Sequence, residues 1–521
     1  MPKNLTKILT IFLIGFYLII AWLLKRDGFE HSSSLFYSEK LMLLFQAKDN
    51  IILILGFTFP SLVFLSALLF VPFGYLFAPV AASIVIIALL FYMIVEEFKL
   101  SKFSYKLYVP LVLALFTLHP MFVFAAVTGR KNAIVQFFAF LIFRSFFRYF
   151  KRPVTYHLSM ASLYITCFIF SNYDFIWLIL AFFPFIFLVS LNGVKAGSTD
   201  SPLFQYTEML NNRSLRRKLA NRTVSLYLII FLLPLIAVVL FRALNIEFTG
   251  SATYFLDSQY ANWRITGNRI ATNLMTDPLR NNFLFQSQIV IQGFILFLTP
   301  LFIAALILFK GKLYELFTIL SMLFYYSLML LDYKYTLSMG YFLLFIPIAL
   351  VTICYYGTDK YSIKTASWIF GVASVLTIVM GFYFFRHTDA IEEIQFAEEM
   401  QSLPSKMGNA RVLSESNIVA DYIKGLVSEQ KKILIDDASA YDVVVHIGNL
   451  KGLILPHEKT FVTVVENPKV AAKYILIAKT LNPTHNLTVL NSYNLNLMQT
   501  NKNLHTLLMF ETNNWAVYQV E

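Results

Sequence analysis

Residues 25–50 have the sequence KRDGFEHSSSLFYSEKLMLLFQAKDN, a polar island in the otherwise nearly unbroken hydrophobic first half of the chain. The apolar segments 8–24 and 52–73 flank this island. Carboxylates are costly to hold against a bilayer, and those that are kept there usually have a function. The position of the island therefore predicts a short loop at the membrane surface that carries chemistry.

The composition extends this view to the whole chain. Of its 521 residues, 58% are hydrophobic and only 14% are charged, and the mean hydropathy is +0.65. A soluble globular domain carries about 25% charged residues. A helix needs roughly 20 mainly apolar residues to cross the hydrocarbon layer, and such segments recur through residues 1–386. The sequence predicts an α-helical polytopic membrane protein.

Twelve segments are apolar enough to be interpreted as helices. They span 8–24, 52–73, 75–96, 107–128, 131–147, 156–171, 173–192, 224–243, 288–309, 313–331, 335–355 and 363–385.

Positive charge predicts the orientation of these helices. The N-terminal lysines and the basic loops 148–152 and 195–222 indicate the cytoplasmic side, which leaves the loop 246–287 and the tail outside. The formal net charge of +12 thus indicates topology and anionic headgroups, not nucleic acid. A cytoplasmic N-terminus and an outside tail require an odd number of crossings. Either the proline-interrupted stretch 52–97 contains one crossing and a re-entrant or surface piece, giving eleven, or a missed helix gives thirteen.

The composition changes after Arg386. Helical patterns at 390–403 and 418–428 are followed by short β-branched segments, as in a small α/β domain. The predicted strands are 432–436, 443–446, 461–466, 473–477 and 515–520. We therefore divide the chain into a transmembrane domain, 1–386, and an extracytoplasmic α/β domain, 387–521.

The first external loop is the strongest candidate for chemistry. Asp27 and Glu30 follow the first helix closely, and Ser32–Ser34 could cap a second helix that extends to about Ala47. A carboxylate held there, partly desolvated, has a raised pKa and can remove a proton from an acceptor hydroxyl. The alternative is an ordinary hydrated loop with surface ion pairs.

Several segments, taken in order, resemble a known superfamily. They are GFTFPSL at Gly56–Leu62, PFGYLFA at Pro72–Ala78, HPMF at His119–Phe122, GRKNA at Gly129–Ala133 and the aromatic helix that ends at Arg144–Arg148. This order is similar to that of the GT-C superfamily of membrane glycosyltransferases, which includes protein mannosyltransferases and lipid A aminoarabinose transferases. The resemblance covers about residues 8–192 and is weaker at Asp257–Asn262. It departs from the pattern at the acids, because Asp27 and Glu30 are not adjacent.

The resemblance implies a GT-C-like bundle of about eleven to thirteen transmembrane helices in a bacterial cytoplasmic (inner) membrane. It implies transfer of a sugar from a polyprenyl-phosphate-linked donor to a lipid, glycan or protein acceptor on the outer face. The catalytic carboxylate of the family maps onto Asp27 or Glu30. The basic residues that would bind the carrier phosphate are Arg130, Lys131, Arg264 and Arg269.

Two other functions stay open. The loop 246–287 contains arginines and the aromatic side chains of Tyr260 and Trp263, which could serve as platforms in a sugar site. O-antigen polymerases and ligases also pair a multi-helix bundle with a large arginine-rich external loop, and this alternative would make Arg264 or Arg269 essential. The protein could also be a non-catalytic component of an envelope complex. No metal site is predicted, because the acids at 436–442 suit turns and caps, although a divalent cation remains a possible cofactor.

Overall fold

The structure is a computed structural model that describes residues 4–47, 57–193, 211–262, 265, 299–331, 343–386, 388, 391–406, 414–428, 430–482, 490–491 and 505–521. Trp263, Arg264 and Arg269 lie outside these residues, so their predicted part in a site stays a prediction.

Residues up to Arg386 form a bundle of helices. In chain order these are α1 (Leu5–Arg26), α2 (Ser32–Gln46), α3 (Ser61–Leu68), α4 (Ala78–Phe98), α5 (Tyr105–Leu118), α6 (Pro120–Val127), α7 (Asn132–Lys151), α8 (Thr155–Ser171), α9 (Leu178–Gly193), α10 (Arg213–Thr249), α11 (Tyr254–Asp257), α12 (Pro300–Leu308), α13 (Leu313–Leu331), α14 (Phe345–Tyr356) and α15 (Ile363–Arg386).

The prediction of a polytopic helical membrane protein is confirmed. Within the described residues, α1, α4, α7, α10 and α15 are long and apolar enough to cross a bilayer, and α9, α13 and α14 are shorter apolar helices. Helices α5 and α6 qualify together as a further span, bent by 64°. The bend arises at Pro120, because proline removes a backbone donor and holds the preceding His119 in an extended conformation. The total number of crossings involves stretches outside the described residues and stays a prediction.

The stretch 52–97 contains one long helix. The predicted crossing at 52–73 is wrong in its described part, where α3 has only 8 residues and is followed by a 3-10 turn at Val71–Phe73. At 1.5 Å per residue, α3 is about 12 Å long, which is too short to cross a bilayer. Proline at both ends of this piece accounts for its length, since Pro60 precedes α3 and Pro72 lies in the turn.

The two ends of the bundle differ in their polar contacts. At one end α2 packs against the C-terminal domain. At the other end Glu97, near the end of α4, pairs with Arg144 and Arg148 of α7 at 2.6 and 2.9 Å. The turn after α1, which leads into α2, and the Glu97 cluster therefore lie at opposite ends of α4.

The rest of the chain forms an α/β domain, as predicted. Its elements are α16 (Ile391–Lys406), α17 (Glu415–Leu426), β1 (Ile433–Leu434), α18 (Asp437–Ile447), β2 (Leu453–Ile454), α19 (Phe461–Glu466), β3 (Tyr474–Ala478), β4 (Thr506–Glu511) and β5 (Trp515–Val520). The strand order is β2-β1-β3-β5-β4, with β1 parallel to β2 and β3, and β5 antiparallel to β3 and β4.

Two strand predictions in this domain are wrong. Residues 443–446 belong to α18 and 461–466 form α19. Every residue of α18 is buried, so its valines show no helical periodicity. The helix begins because Asp436 caps it, with Oδ1 accepting a hydrogen bond from the backbone N–H of Ala438 at 3.0 Å.

Helix α2 contributes to two hydrophobic cores. Leu35, Phe36 and Leu41 pack in the core of the bundle, while Met42 and Leu43 pack in the core of the C-terminal domain. The first external loop is thus enclosed between the two parts of the protein.

Candidate functional site

The turn between α1 and α2 positions both predicted carboxylates. Gly28 has a φ of 88°, in the left-handed region that glycine tolerates best, and it reverses the chain directly after Asp27. His31 then caps α2, because its Nδ1 accepts a hydrogen bond from the backbone N–H of Ser33 at 3.1 Å. Asp27, Glu30 and His31 therefore project from one tight turn at the end of the first span.

A cleft opens beside this turn. Its enclosed volume is about 40 Å³, and its walls come from the end of α1, the start of α2, the segment 76–80 and the end of α6. Glu30 and His31 line the cleft together with Lys25, against the apolar side chains of Leu76 and Phe77. Asp27 is not one of the described residues that line it. Of the two predicted bases, Glu30 has the better access to a ligand.

Glu30 is held by the C-terminal domain. Its Oε2 lies 2.7 Å from Nε2 of His446, which belongs to α18, and the two side chains are only 12% and 4% exposed. Both of these atoms are buried, and within the described residues neither makes a hydrogen bond, so the contact is one of ion-pair distance only. The second oxygen, Oε1, makes no hydrogen bond in the same residues, and Glu30 is one of the residues that line the cleft.

His31 also contacts the C-terminal domain, but here the loop supplies the imidazole and the domain supplies the carboxylate. Its Nε2 lies 2.9 Å from Oε2 of Glu392 in α16, and Oγ of Ser32 donates to the other oxygen of Glu392. Burial lowers the pKa of His31, and the nearby carboxylate of Glu392 offsets part of that lowering. Burial alone raises the pKa of Glu392, but His31, Arg130 and Ser32 outweigh it and hold that pKa well below its usual range.

Asp27 has a different environment. It is 8% exposed, and its Oδ1 accepts a hydrogen bond from Nε of the adjacent Arg26 at 3.1 Å. Its Oδ2 is buried and has no hydrogen-bond partner in the described ranges. A buried acceptor without a partner costs about 1–3 kcal/mol, so this oxygen is a second candidate for contact with a ligand.

Arg130 approaches the same turn from α7. It lies in the loop before that helix, where Gly129 has a φ of 65° and a Cβ at that position would lie 2.9 Å from Oγ of Ser34. The guanidinium is 9% exposed, stands over the ring of Phe124 at 5.3 Å, and makes no hydrogen bond or ion pair among the described residues. Its charge acts on His31 and Glu392. Lys131 is the N-cap residue of α7.

Further along α2, a buried ionic cluster joins the loop to α18. Nζ of Lys40 lies 2.9 Å from Oε2 of Glu39 and 2.8 Å from Oδ2 of Asp437. Burial raises the pKa of Glu39 to about 8, while the two carboxylates keep the pKa of Lys40 above its usual value despite its burial. Tyr260 lies near this cluster, since burial and the charges of Asp436 and Asp437 raise its pKa.

The structure thus brings together some of the predicted site residues. Asp27 and Glu30 lie in the turn after α1, and the charge of Arg130 acts on the adjacent His31. Of the three, Glu30 lines the cleft, while Arg130 lines a separate small pocket, and Tyr260 is not among the described residues that line the cleft. No group of three metal-ligating side chains occurs within the described residues. The acids predicted as capping residues include Asp436, which does cap α18.

His446 and Glu392 were not predicted as site residues. They are separated from their partners by hundreds of positions and lie in different helices, so no local motif connects them to the loop. The only local signal is on the loop side, where Glu39 and Lys40 interrupt an otherwise apolar helix and must find buried partners.

Comparison with known proteins gives a fold-level likeness. No protein-family model and no curated protein sequence matches the chain. Among solved structures, the chain is similar to that of ArnT from Cupriavidus metallidurans bound to undecaprenyl phosphate, with a TM-score of 0.49 and 12% identity. The match covers 98% of this chain and 97% of the other.

A likeness of this degree carries no functional argument, so the function has to be argued from the site residues.

Proposed function

We propose that this protein is a membrane glycosyltransferase that moves a sugar from a polyprenyl-phosphate donor to an acceptor hydroxyl at the outer face of the cytoplasmic membrane. The observation that carries the proposal is Glu30, a carboxylate that lines a cleft at the end of the first span and lies 2.7 Å from Nε2 of His446. A base must lie within hydrogen-bonding reach of the proton that it removes, and this arrangement provides one.

The reaction that suits these groups is a direct displacement. Oε1 of Glu30 takes the proton of the acceptor hydroxyl, and the acceptor oxygen forms a bond to the anomeric carbon of the sugar. The bond from that carbon to the phosphate oxygen breaks, and the polyprenyl phosphate leaves with the electron pair. Because attack and departure take place on opposite faces, the configuration at the anomeric carbon is inverted.

Arg130 is the candidate for the leaving phosphate. A guanidinium presents five donors in a planar fork that fits phosphate oxygens, and charge-assisted bonds of this kind are among the strongest in proteins. Arg130 makes no hydrogen bond in the described part of the chain, so all of its donors are available. Lys131, the next residue, could add a second positive charge.

The lining of the cleft has the chemistry that a lipid-linked donor needs, but at about 40 Å³ the cleft has to widen before it can hold a sugar phosphate. Apart from Lys25, Glu30 and His31, its lining is largely apolar, with Leu76, Phe77 and other hydrophobic residues. A carrier with its phosphate at the membrane surface and its chain in the hydrocarbon would meet polar groups at the top and apolar groups below.

The test compares three variants of purified protein in vesicles. The probes are undecaprenyl-phosphate sugars that carry a neutral hexose, an N-acetylhexosamine or an aminopentose, and the readout is release of undecaprenyl phosphate in the presence of membranes from a deletion strain. Loss of a general base lowers the rate by about 10²–10⁴-fold, which we expect for Glu30→Gln. Asp27→Asn tests the second carboxylate.

Glu96→Gln is the matched control. Glu96 is a carboxylate at the opposite end of the bundle, one-third exposed and paired with Lys99. Full activity of both Glu30→Gln and Asp27→Asn would refute the proposal. If Arg264→Gln alone abolished transfer, the polymerase-like alternative in the loop 246–287 would replace it.

A further inference from the structure

Two consecutive residues of the first external loop, one acidic and one a histidine, each pair with a residue of the opposite type in the C-terminal domain. Glu30 offers a carboxylate to the imidazole of His446 in α18, at 2.7 Å. His31 offers an imidazole to the carboxylate of Glu392 in α16, at 2.9 Å. Both pairs are buried or nearly so, and each connects the loop to a different helix.

We propose that His446 is a positioning residue, through which the C-terminal domain completes the site. This inference rests on the proposed function, because it assigns to His446 the task of orienting Glu30 for proton transfer. The bundle supplies the cleft and Glu30, and the soluble domain supplies the imidazole that lies 2.7 Å from the carboxylate.

The geometry explains why Glu30 needs such a partner. A free glutamate side chain loses up to about 2 kcal/mol of rotamer freedom when it is fixed in one conformation. The Glu30 side chain is 12% exposed, and the imidazole of His446 is the described group in contact with its carboxylate. With Oε2 held 2.7 Å from Nε2 of His446, the carboxylate has a defined position beside the cleft, and an error of about 1 Å in such a position can cost 10²-fold in rate.

The second pair fixes the domain that carries His446. Glu392 accepts a hydrogen bond from Ser32 and lies 2.9 Å from Nε2 of His31, so α16 is attached to the residue next to Glu30. Phe396, one turn further along α16, packs edge-on against Phe124 of α6 with ring centroids 4.9 Å apart. Because Glu30 and His31 are neighbours and each contacts a different helix of the C-terminal domain, the turn can neither shift nor rotate freely relative to that domain.

The charges near the Glu30–His446 pair come from several elements. Lys25 lies at the end of α1, Arg130 precedes α7, Glu392 belongs to α16, and Asp442 lies one turn before His446 on α18. The closest of the described charged partners of Glu30 is His446 itself, which makes a substitution there the most direct test.

The experiment uses the full-length protein in vesicles with the undecaprenyl-phosphate sugar that the wild type turns over. His446→Phe keeps an aromatic ring and removes the nitrogen that lies against Glu30, whereas His446→Gln keeps a polar donor at this position. We expect His446→Phe to lower kcat about 10–100-fold with an unchanged KM for the donor, and His446→Gln to recover most of that loss. His505→Phe, at an exposed histidine of the same domain, should behave as wild type.

Hydrogen exchange of residues 27–31 reports separately whether the domain remains docked. Equal kcat values for His446→Phe and wild type would overturn the inference. So would an equal loss in the Phe and Gln variants accompanied by faster exchange, because that result indicates a purely structural role. A wild type that transfers no sugar would instead refute the proposed function, so the two failures are distinguishable.

Discussion

Replacing Lys40 by methionine tests how the first external loop is held. Lys40 is 6% exposed and is the cation of the buried cluster with Glu39 and Asp437, at 2.9 and 2.8 Å. Methionine has a similar length and no charge, so the change removes the ammonium and little packing. Asp437, 4% exposed, would then be left in an apolar environment without its cation.

The expected cost follows from this burial. Breaking a buried ion pair by removing one partner typically costs about 3–5 kcal/mol, because the remaining charge has lost its solvation. Glu39 adds little to this figure at neutral pH, since its pKa is raised to about 8 and it retains its proton. The matched exposed pair is Lys99 with Glu96, for which about 0.2–1 kcal/mol is typical.

Amide hydrogen exchange in detergent measures the difference. The α2 amides open locally when the loop leaves the C-terminal domain, and exchange reports the free energy of that opening. We expect Lys40→Met to speed exchange in residues 37–46 by about two to three and a half orders of magnitude, and Lys99→Met to change it less than tenfold. Equal exchange in both variants would refute this account. The double variant Lys40→Met with Asp437→Asn should recover part of the protection, since neither charge remains.

Two further predictions concern stability in detergent. The pKa of Glu39 is raised from 4.5 to about 8, so between these pH values the folded protein keeps a proton that the unfolded chain releases. The free energy of unfolding should therefore fall as the pH rises from about 4.5 to 8. Thermal unfolding scans at several pH values should show a smaller pH dependence for Glu39→Gln. Gly381→Ala should lower the unfolding temperature, because its Cβ would lie 2.5 Å from Nε2 of His119, whereas Gly371→Ala on the same helix meets nothing within 4 Å. Overpacking of this kind costs about 1–3 kcal/mol, and equal unfolding temperatures for the two alanine variants would contradict the contact.

Much of the fold could be predicted from the sequence because the dominant signal is local. Long apolar segments define spans without any tertiary information, and the predicted helix 363–385 is observed as α15. The wrong secondary-structure predictions occur where tertiary contacts determine whether a segment is a helix or a strand. Residues 443–446 resemble a strand by their valines, but α18 is buried on all sides and is started by the cap at Asp436.

The sequence allowed the candidate residues of the loop to be predicted, but not those that the C-terminal domain contributes. Asp27 and Glu30 could be identified because polar residues next to an apolar span are unusual within a short window of sequence. His446 and Glu392 could not, because a histidine or a glutamate in a soluble domain is ordinary until its burial against the loop is known. The distinction between Glu30 in the cleft and Asp27 beside it also depends on side-chain direction, which spacing does not determine.

The enclosure of α2 has a consequence for biogenesis. Lys40 and Asp437 are separated by 397 positions, so the partner of the lysine emerges long after the lysine itself. At about 5–20 residues per second, the delay between the two is roughly 20–80 s. During that time α2 lies at the bilayer surface without the C-terminal domain against which it packs in the finished protein. A nascent chain that is halted before α16 would therefore expose this helix, and membrane quality control could recognise an unfinished molecule by it.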